Sequence, residues 1–214
     1  MDTRAKIIKG AAELFTKYGV RSVTMDDIAR ELSISKKTIY QYFKDKDEIV
    51  LMAVQSHAEN EKEDYNYIFN RSRNPIEELT LMTRCMRDDF RDMNPSLIFD
   101  LQKYHPQAWK VIEDFKNSYI KNALVKNLRD GIQQGLYREN MDPEVLAIMR
   151  LEQVQLAFDS RLFPPDKFNL ADTQLQFLSH YVNGIVTEKG RELYLEYLDK
   201  LELHQTKTTY NNEI

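Results

Sequence analysis

Helix-start signals run through the whole chain and constrain its fold more than any other sequence feature. Asparagine or aspartate stands directly before proline three times, at Asn74-Pro75, Asn94-Pro95 and Asp142-Pro143. This pair suits a helix start, because the Asx side chain can cap free N–H groups and proline is tolerated in the first helical turn. No segment shows the sustained period-two alternation that is typical of strands. The sequence therefore predicts an all-α fold.

Apolar residues at helical spacing place the helices between these breaks. We expect helices over residues 3–18, 36–43 and 46–70, a short one before residue 32, and others near 75–92, 95–104, 106–134, 143–158, 170–187 and 189–202. The helix over 46–70 would be roughly 37 Å long, enough to join two domains. Residues 204–214 are polar and are expected to form a frayed tail.

Composition excludes several classes of protein. With 42% hydrophobic and 30% charged residues the chain of 214 residues is not intrinsically disordered. The single cysteine, Cys85, cannot form an internal disulfide or a multi-cysteine zinc site. We find no apolar stretch that suits a signal peptide or a membrane helix. These features predict a cytoplasmic protein with no membrane partner.

The charge is divided unevenly along the chain. The net charge is −4, but residues 1–48 contain 10 Lys/Arg against 8 Asp/Glu, and the remaining residues contain 20 against 26. A small basic module on an acidic body can still face phosphate.

The basic module has the pattern of a helix-turn-helix. Thr24 and Asp27 form a capping-box-like pair at the start of a short helix. Four residues, Leu32-Ser33-Ile34-Ser35, join it to a second short helix, and the longer first helix braces both. Such a unit inserts its second short helix into the DNA major groove. A generic helical hairpin is the alternative, but the outward positions of the second short helix carry residues that can reach phosphates or bases, namely Lys36, Lys37, Thr38, Tyr40 and Gln41.

These segments resemble a known family. The matching stretches are AAELF at 11–15, Gly19, VTMDDIA at 23–29 and SKKTIYQYFKDK at 35–46, with a looser likeness at 135–138 and 142–144. They are similar to the DNA-binding domain of the tetracycline-repressor (TetR) family. The resemblance implies a three-helix DNA-binding domain over residues 1–61, which includes the start of the connecting helix. It also implies a larger helical ligand-binding and dimerisation domain over 62–203, followed by the tail at 204–214.

The resemblance also implies the residues that contact DNA. Thr24 corresponds to a phosphate-contacting threonine, and Tyr40 and Lys46 correspond to further backbone clamps. Lysine can donate to guanine and glutamine can pair with adenine, so base reading is plausible, although attraction to phosphate alone is the alternative for the two lysines at the start of the helix. The full expected set is Thr24, Ser35, Lys36, Lys37, Thr38, Tyr40, Gln41, Tyr42 and Lys46.

Two positions depart from the family pattern. Ser33 stands where many members have glycine, and a non-glycine residue held at positive φ costs on the order of 1 kcal/mol. Lys37 stands where relatives often have a small residue or proline, so the operator sequence cannot be inferred from theirs.

Two later helices carry wide apolar stripes and predict a homodimer through residues 143–158 and 170–187. A two-fold dimer places two recognition helices about one DNA turn apart, ~34–36 Å, and so predicts a palindromic operator. A stripe that closes a monomeric core is the alternative. The stripes are Val145, Leu146, Ile148, Met149, Leu151, Val154 and Phe158, and Leu175, Leu178, Tyr181, Val182, Ile185 and Val186, with Gly184 open to close approach.

Aromatic and sulfur side chains in the middle of the chain suggest the effector pocket that the resemblance implies, although simple core packing is the alternative. The candidates are Met86, Phe90, Phe99, Tyr104, Trp109, Phe115 and Tyr119. The effector itself is an unknown small molecule.

Enzyme signatures are missing from the sequence. There is no Glu-x-x-His motif, the glycines fit no nucleotide-binding loop, and the four histidines are scattered. The charged run at residues 59–64 is expected to be a solvated face. We therefore predict no catalytic residue, metal or cofactor, and a ligand-inducible transcriptional repressor. An architectural DNA-binding protein and, after it, a helical enzyme are the alternatives.

Overall fold

The structure is a computed structural model that describes residues 2–91 and 93–210, with side chains described as far as residue 199. This part of the chain is helical, with a single isolated bridge between Tyr137 and Val186, and the all-α prediction is confirmed. The helices are α1 Thr3–Tyr18, α2 Met25–Glu31, α3 Lys36–Tyr40, α4 Lys46–Arg71, α5 Pro75–Arg91, α6 Ser96–Tyr104, α7 Pro106–Asp114, a π-helical segment Phe115–Ile120, α8 Lys121–Gln133, α9 Pro143–Leu156, α10 Leu170–Ile185 and α11 Glu188–Tyr210.

The three Asx-Pro pairs mark helix starts as predicted. Asn74 Oδ1 accepts from the backbone N–H of Glu77 at 3.0 Å. Asp142 Oδ1 accepts from the backbone N–H of Glu144 at 2.8 Å, and Asn94 Oδ1 accepts from that of Ser96 at 2.9 Å. Local capping chemistry therefore sets the beginnings of α5, α6 and α9.

The prediction of one continuous helix over 106–134 is wrong. The π-helical segment separates α7 from α8. Ser118 Oγ donates to the carbonyl of Asp114, which is the carbonyl that would accept the Ser118 N–H in an α-helix. A serine that bonds four residues back competes with the regular ladder, and π turns widen helices at such points.

Other helix ends differ from the predictions. The third helix ends at Tyr40, three residues earlier than expected. The last helix continues to Tyr210, because the chain contains neither glycine nor proline after Gly190 to end it. The backbone of 204–210 is thus helical where we expected a frayed tail, and residues 211–214 lie outside the described part of the chain.

Two main cores hold the molecule together. The first belongs to the head, by which we mean α1, α2, α3 and the first two turns of α4. Leu97, Leu101 and Ala108 from α6 and α7 are buried in this same core. The second belongs to the body, which comprises α5 and α8 to α11. Because residues beyond position 61 complete the head core, the division into 1–61 and 62–203 stays a prediction about folding units.

The α10 stripe does not form an exposed face. Leu178, Tyr181, Val182, Ile185 and Val186 are all buried within the single chain, because α5, α9 and the rest of the body core cover this side of α10. These residues close a monomeric core, the alternative left open by the sequence. The α9 stripe is divided instead: Leu151 is buried, whereas Val145, Ile148 and Met149 are exposed.

Among the described residues, no helix combines the length and the hydropathy needed to cross a membrane.

Candidate DNA-binding surface and ligand cavity

Helix α2 begins with a complete capping box. Thr24 Oγ1 accepts from the backbone N–H of Asp27 at 3.2 Å and donates to Asp27 Oδ2 at 2.6 Å. The Thr24 N–H donates to the same carboxylate at 2.9 Å. These bonds to Thr24 lower the pKa of the Asp27 carboxyl. The box fixes the direction in which the chain enters α2, and Thr24 remains exposed at the surface.

The turn after α2 places Ser33 in the left-handed region, with φ of 53°. The Ser33 N–H donates to the carbonyl of Arg30 at 3.2 Å, and the Ile34 N–H donates to that of Ala29 at 3.0 Å. Serine adopts this positive φ at the position where many family members have glycine. The turn therefore has the geometry for which glycine is favoured, with serine in its place.

Helix α3 is short, and its inward side chains anchor it to the head. Ser35 Oγ accepts from the backbone N–H of Thr38 at 3.0 Å and caps the helix. Ile39 and, just after the helix, Phe43 are buried in the head core. The outward face carries Lys36, Lys37, Tyr40, Gln41 and Tyr42, all exposed, with Thr38 half-buried. Tyr40 is 49% exposed, which leaves both its ring and its hydroxyl available to a partner.

Lys36 is paired within the chain. Its Nζ lies 2.8 Å from Asp26 Oδ2, so the ion pair links α2 to α3. The bond to Asp26 raises the pKa of the Lys36 amine. Both partners are exposed, and a phosphate that approaches Lys36 must share it with Asp26 or displace that carboxylate.

Lys46 has a structural role that the sequence did not indicate. Its Nζ donates to the carbonyls of Val20 and Val23, each at 2.6 Å. Burial lowers the pKa of the amine. Lysine has three N–H donors, so at most one remains for DNA. Its primary contact is with the loop between α1 and α2, and only the folded approach of that loop to α4 reveals it.

Helix α6 fastens the head to the rest of the molecule. The Arg21 backbone N–H donates to the buried Asp100 at 3.2 Å, and the Arg21 guanidinium lies 4.8 Å from the ring centre of Tyr104. Just before α6, the Asn94 N–H donates to the carbonyl of Thr16 at 2.7 Å. At the other end, His105 Nδ1 lies 3.1 Å from Asp47 Oδ1 on α4.

A cavity of about 400 Å³ lies between the head and the body. Its walls are largely apolar and come from α1, α4, α5, α6, α7, the π-helical segment and α9. This size falls in the range of small-molecule sites. Four of the pocket residues expected from the sequence line it, namely Met86, Phe90, Trp109 and Phe115.

The other three expected pocket residues lie elsewhere. Phe99 and Tyr104 are 53% and 41% exposed on the outer side of α6, where their rings pack edge to face. Tyr119 stacks on Phe115, and its hydroxyl donates to Asn66 Oδ1 at 2.8 Å. These three placements in the pocket are wrong, because helical spacing alone does not say which face of α6 or of the π-helical segment turns inward.

Several polar cavity residues were not found from the sequence. His57, Glu61 and Asp89 line one side, although residues 59–64 were expected to be solvated. Glu61 accepts a hydrogen bond from the Tyr65 hydroxyl at 2.7 Å. Burial, together with nearby carboxylates such as Glu61, raises the pKa of Asp89 to about 6. Lys116 also lines the cavity and is paired with Glu152 at 3.1 Å.

Comparison with known proteins agrees with this geometry. The family model "Bacterial regulatory proteins, tetR family" matches residues 7–53, which span the helix-turn-helix. The HTH-type transcriptional regulator YvaF of Bacillus subtilis is 26% identical over 171 residues, 78% of this chain and 88% of YvaF. The chain belongs to the TetR family. As a TetR-family protein it is a DNA-binding transcriptional regulator.

Solved structures of other transcriptional regulators share the fold. The ketosteroid transcriptional regulator KstR2 of Mycobacterium tuberculosis has a TM-score of 0.62 and 22% identity, and the match covers 87% of this chain and 96% of KstR2. FadR of Bacillus subtilis, solved in complex with stearoyl-CoA, has a TM-score of 0.62 and 20% identity, with 85% and 98% covered. At these identities the likeness concerns the fold alone.

Proposed function

We propose that this TetR-family regulator is a ligand-inducible repressor that binds a palindromic operator as a homodimer in the cytoplasm. The observation that carries the proposal is the cavity between head and body. Its walls include α1 and α4 on one side and α5 and α9 on the other. A ligand there contacts both the part that would hold DNA and the part that would pair with a second chain.

The exposed face of α3 is the proposed reading surface. Lys37 and Gln41 would donate to base edges in the major groove, and Tyr40 and Tyr42 would hold the flanking phosphates. Thr24 is exposed at the start of α2 on the same head. We assign Lys36 and Lys46 lesser roles in DNA contact, because both are already paired within the chain.

The exposed apolar face of α9 is the proposed centre of the dimer interface. Val145, Ile148 and Met149 together form an apolar surface that a monomer leaves in water. On α10, an added Cβ at Gly184 would meet nothing within 4 Å, so a second backbone could approach there. A two-fold axis at this face would join α9 and α10 to their copies as a four-helix interface.

Induction would act through α6. Leu97 and Leu101 on this helix line the cavity, while Asp100 between them accepts from the Arg21 N–H of the head. A ligand that prefers a displaced α6 would therefore move the head. Only such a difference in affinity between two conformations can shift DNA binding, because equal affinity shifts nothing.

Two proteins to which this chain is similar support the proposal. KstR2 is named a transcriptional repressor, and FadR was solved with stearoyl-CoA bound. Both statements concern those proteins, but they show that this fold serves repression and takes up a molecule with a long apolar part.

Transcription in vitro separates a repressor from an architectural DNA-binding protein. Genomic fragments that the full-length protein retains would be transcribed with and without it. We expect transcripts from retained promoters to fall at least about tenfold, since a Kd near 10⁻⁸ M or tighter is typical of specific sites. The matched control is the double variant Lys37→Ala/Tyr40→Ala. It removes two of the proposed DNA contacts and should therefore restore transcription, and it should leave the fold intact because both side chains are exposed. Unchanged transcript levels at saturating protein would contradict repression and favour the architectural function.

A further inference from the structure

Arg150 is a buried cation that has no anionic partner among the described side chains. It lies on α9 and is 4% exposed. Its Nη2 is 3.9 Å from the Met86 sulfur, and its guanidinium carbon is 5.9 Å from the centre of the Tyr181 ring. Among the side chains described up to residue 199, no carboxylate forms an ion pair with it, and its Nη1 has no hydrogen-bond partner.

This arrangement is costly as it stands. A buried charge is normally paired, because the free energy of removing it from water is recovered only through an opposite charge or a full set of hydrogen bonds. Burial lowers the pKa of Arg150 to about 10, so the guanidinium stays protonated at neutral pH. On the facing helix α10, the Tyr181 hydroxyl is also buried without a partner. An anion at this point would satisfy both groups.

The site adjoins the cavity. Met86, which touches the guanidinium, lines the cavity, and so do Leu151 and Val154, which follow Arg150 by one and four residues on α9. A methionine side chain is unbranched and adopts several rotamers at little cost. A rotation of Met86 would therefore open the guanidinium to a ligand in the cavity.

We propose that Arg150 binds a carboxylate on the effector, whose apolar part fills the cavity between head and body. The inference rests on the proposed function, because it names the chemistry of the ligand that induces release. A planar guanidinium can hold a carboxylate through two parallel hydrogen bonds, and the Tyr181 hydroxyl can donate a third. Glu61 and Asp89 lie on the side of the cavity near His57 and would orient the apolar part away from themselves.

Trp109 provides the measurement. It is the single tryptophan of the chain and lines the cavity, so its fluorescence reports occupancy. The probes share one ten-carbon chain and differ in the head group: decanoate and decyltrimethylammonium, each below its critical micelle concentration, and 1-decanol below its solubility limit. We expect decanoate to bind at least about tenfold more tightly than 1-decanol, as a hydrogen bond to a charged group implies.

Variants at Arg150 test whether its guanidinium is the group that binds the carboxylate. Arg150→Met should weaken decanoate binding about 10- to 100-fold and leave 1-decanol within about threefold. Replacement of an unpaired buried charge by an apolar side chain of similar length is not expected to unfold the protein, and Arg150→Lys, which keeps the charge, should retain part of the affinity. The matched control is Lys121→Gln, which removes a cation that lies outside the cavity lining and already has Glu144 as a partner at 3.2 Å, and it should change decanoate binding less than about threefold.

The outcomes separate this inference from the proposed function. Decanoate binding that does not respond to Arg150→Met would overturn the assignment of Arg150. Tighter binding of decyltrimethylammonium, lost in Glu61→Gln, would overturn the carboxylate and leave an inducible repressor with a cationic effector. If no probe changes Trp109 fluorescence or releases operator DNA, the cavity does not bind these ligands. Induction through the cavity and the assignment of Arg150 would then both be wrong.

Discussion

At the scale of single residues, the positions that sequence reasoning placed correctly are those governed by local geometry. Thr24 and Asp27 were expected to form a capping box because they lie three residues apart, and both hydrogen bonds of the box are present. Lys46 and Arg150 could not be interpreted in the same way. Their roles depend on the Val20 and Val23 carbonyls in one case and on Met86 and Tyr181 in the other, and these partners lie far away in sequence.

The strain at Ser33 leads to a stability prediction. Ser33→Gly should raise the free energy of unfolding by about 0.5–1 kcal/mol, since glycine avoids the cost of positive φ but gains entropy in the unfolded chain. Urea denaturation measures the change. The control is Ser56→Gly within α4, where φ is helical, and it should lower the same free energy by a similar amount. Destabilisation by both substitutions would show that Ser33 is not strained.

At the scale of elements, the starts of helices followed from sequence and their packing did not. The Asx-Pro pairs predicted the starts of α5, α6 and α9, because the capping hydrogen bonds span only two or three residues. The π-helical segment was missed, because the competing bond from Ser118 to Asp114 leaves no mark on hydrophobic spacing. Which face of α6 meets the cavity was also missed, so Phe99 and Tyr104 were misplaced.

The contact between α6 and the head is predicted to stabilise the protein through one buried acceptor. Asp100→Ala should lower the free energy of unfolding by about 1–3 kcal/mol, because it leaves the Arg21 N–H without its acceptor. Asp100→Asn keeps an oxygen acceptor and should cost less than half as much. Urea denaturation of both variants tests this contact between α6 and the head. An equally small change in the free energy of unfolding of the two variants would mean that α6 does not hold the head through Asp100.

At the scale of the whole molecule, the sequence indicated two domains and a dimer, but the solvent-exposed apolar faces emerged only from the fold. Both late helices have apolar stripes, and the stripe of α10 is buried by its own chain whereas part of the α9 stripe stays exposed. The two cases share the same periodicity, so no sequence pattern distinguishes them. The cavity also could not be predicted from a sequence pattern, since its walls come from seven segments spread from α1 to α9.

We propose that two heads, held together by a dimer through α9, read one palindromic operator. The most direct test of this proposal is selection of bound sequences from a random DNA duplex pool at two salt concentrations. We expect a palindromic consensus with half-sites about one DNA turn, ~34–36 Å, apart. Ile148→Asp places a charge on the exposed α9 face and should reduce the consensus to a weakly bound half-site. Tyr67→Asp, on the exposed surface of α4, should keep the palindrome. Salt-sensitive binding without sequence preference, or a palindrome that persists in Ile148→Asp, would contradict the account.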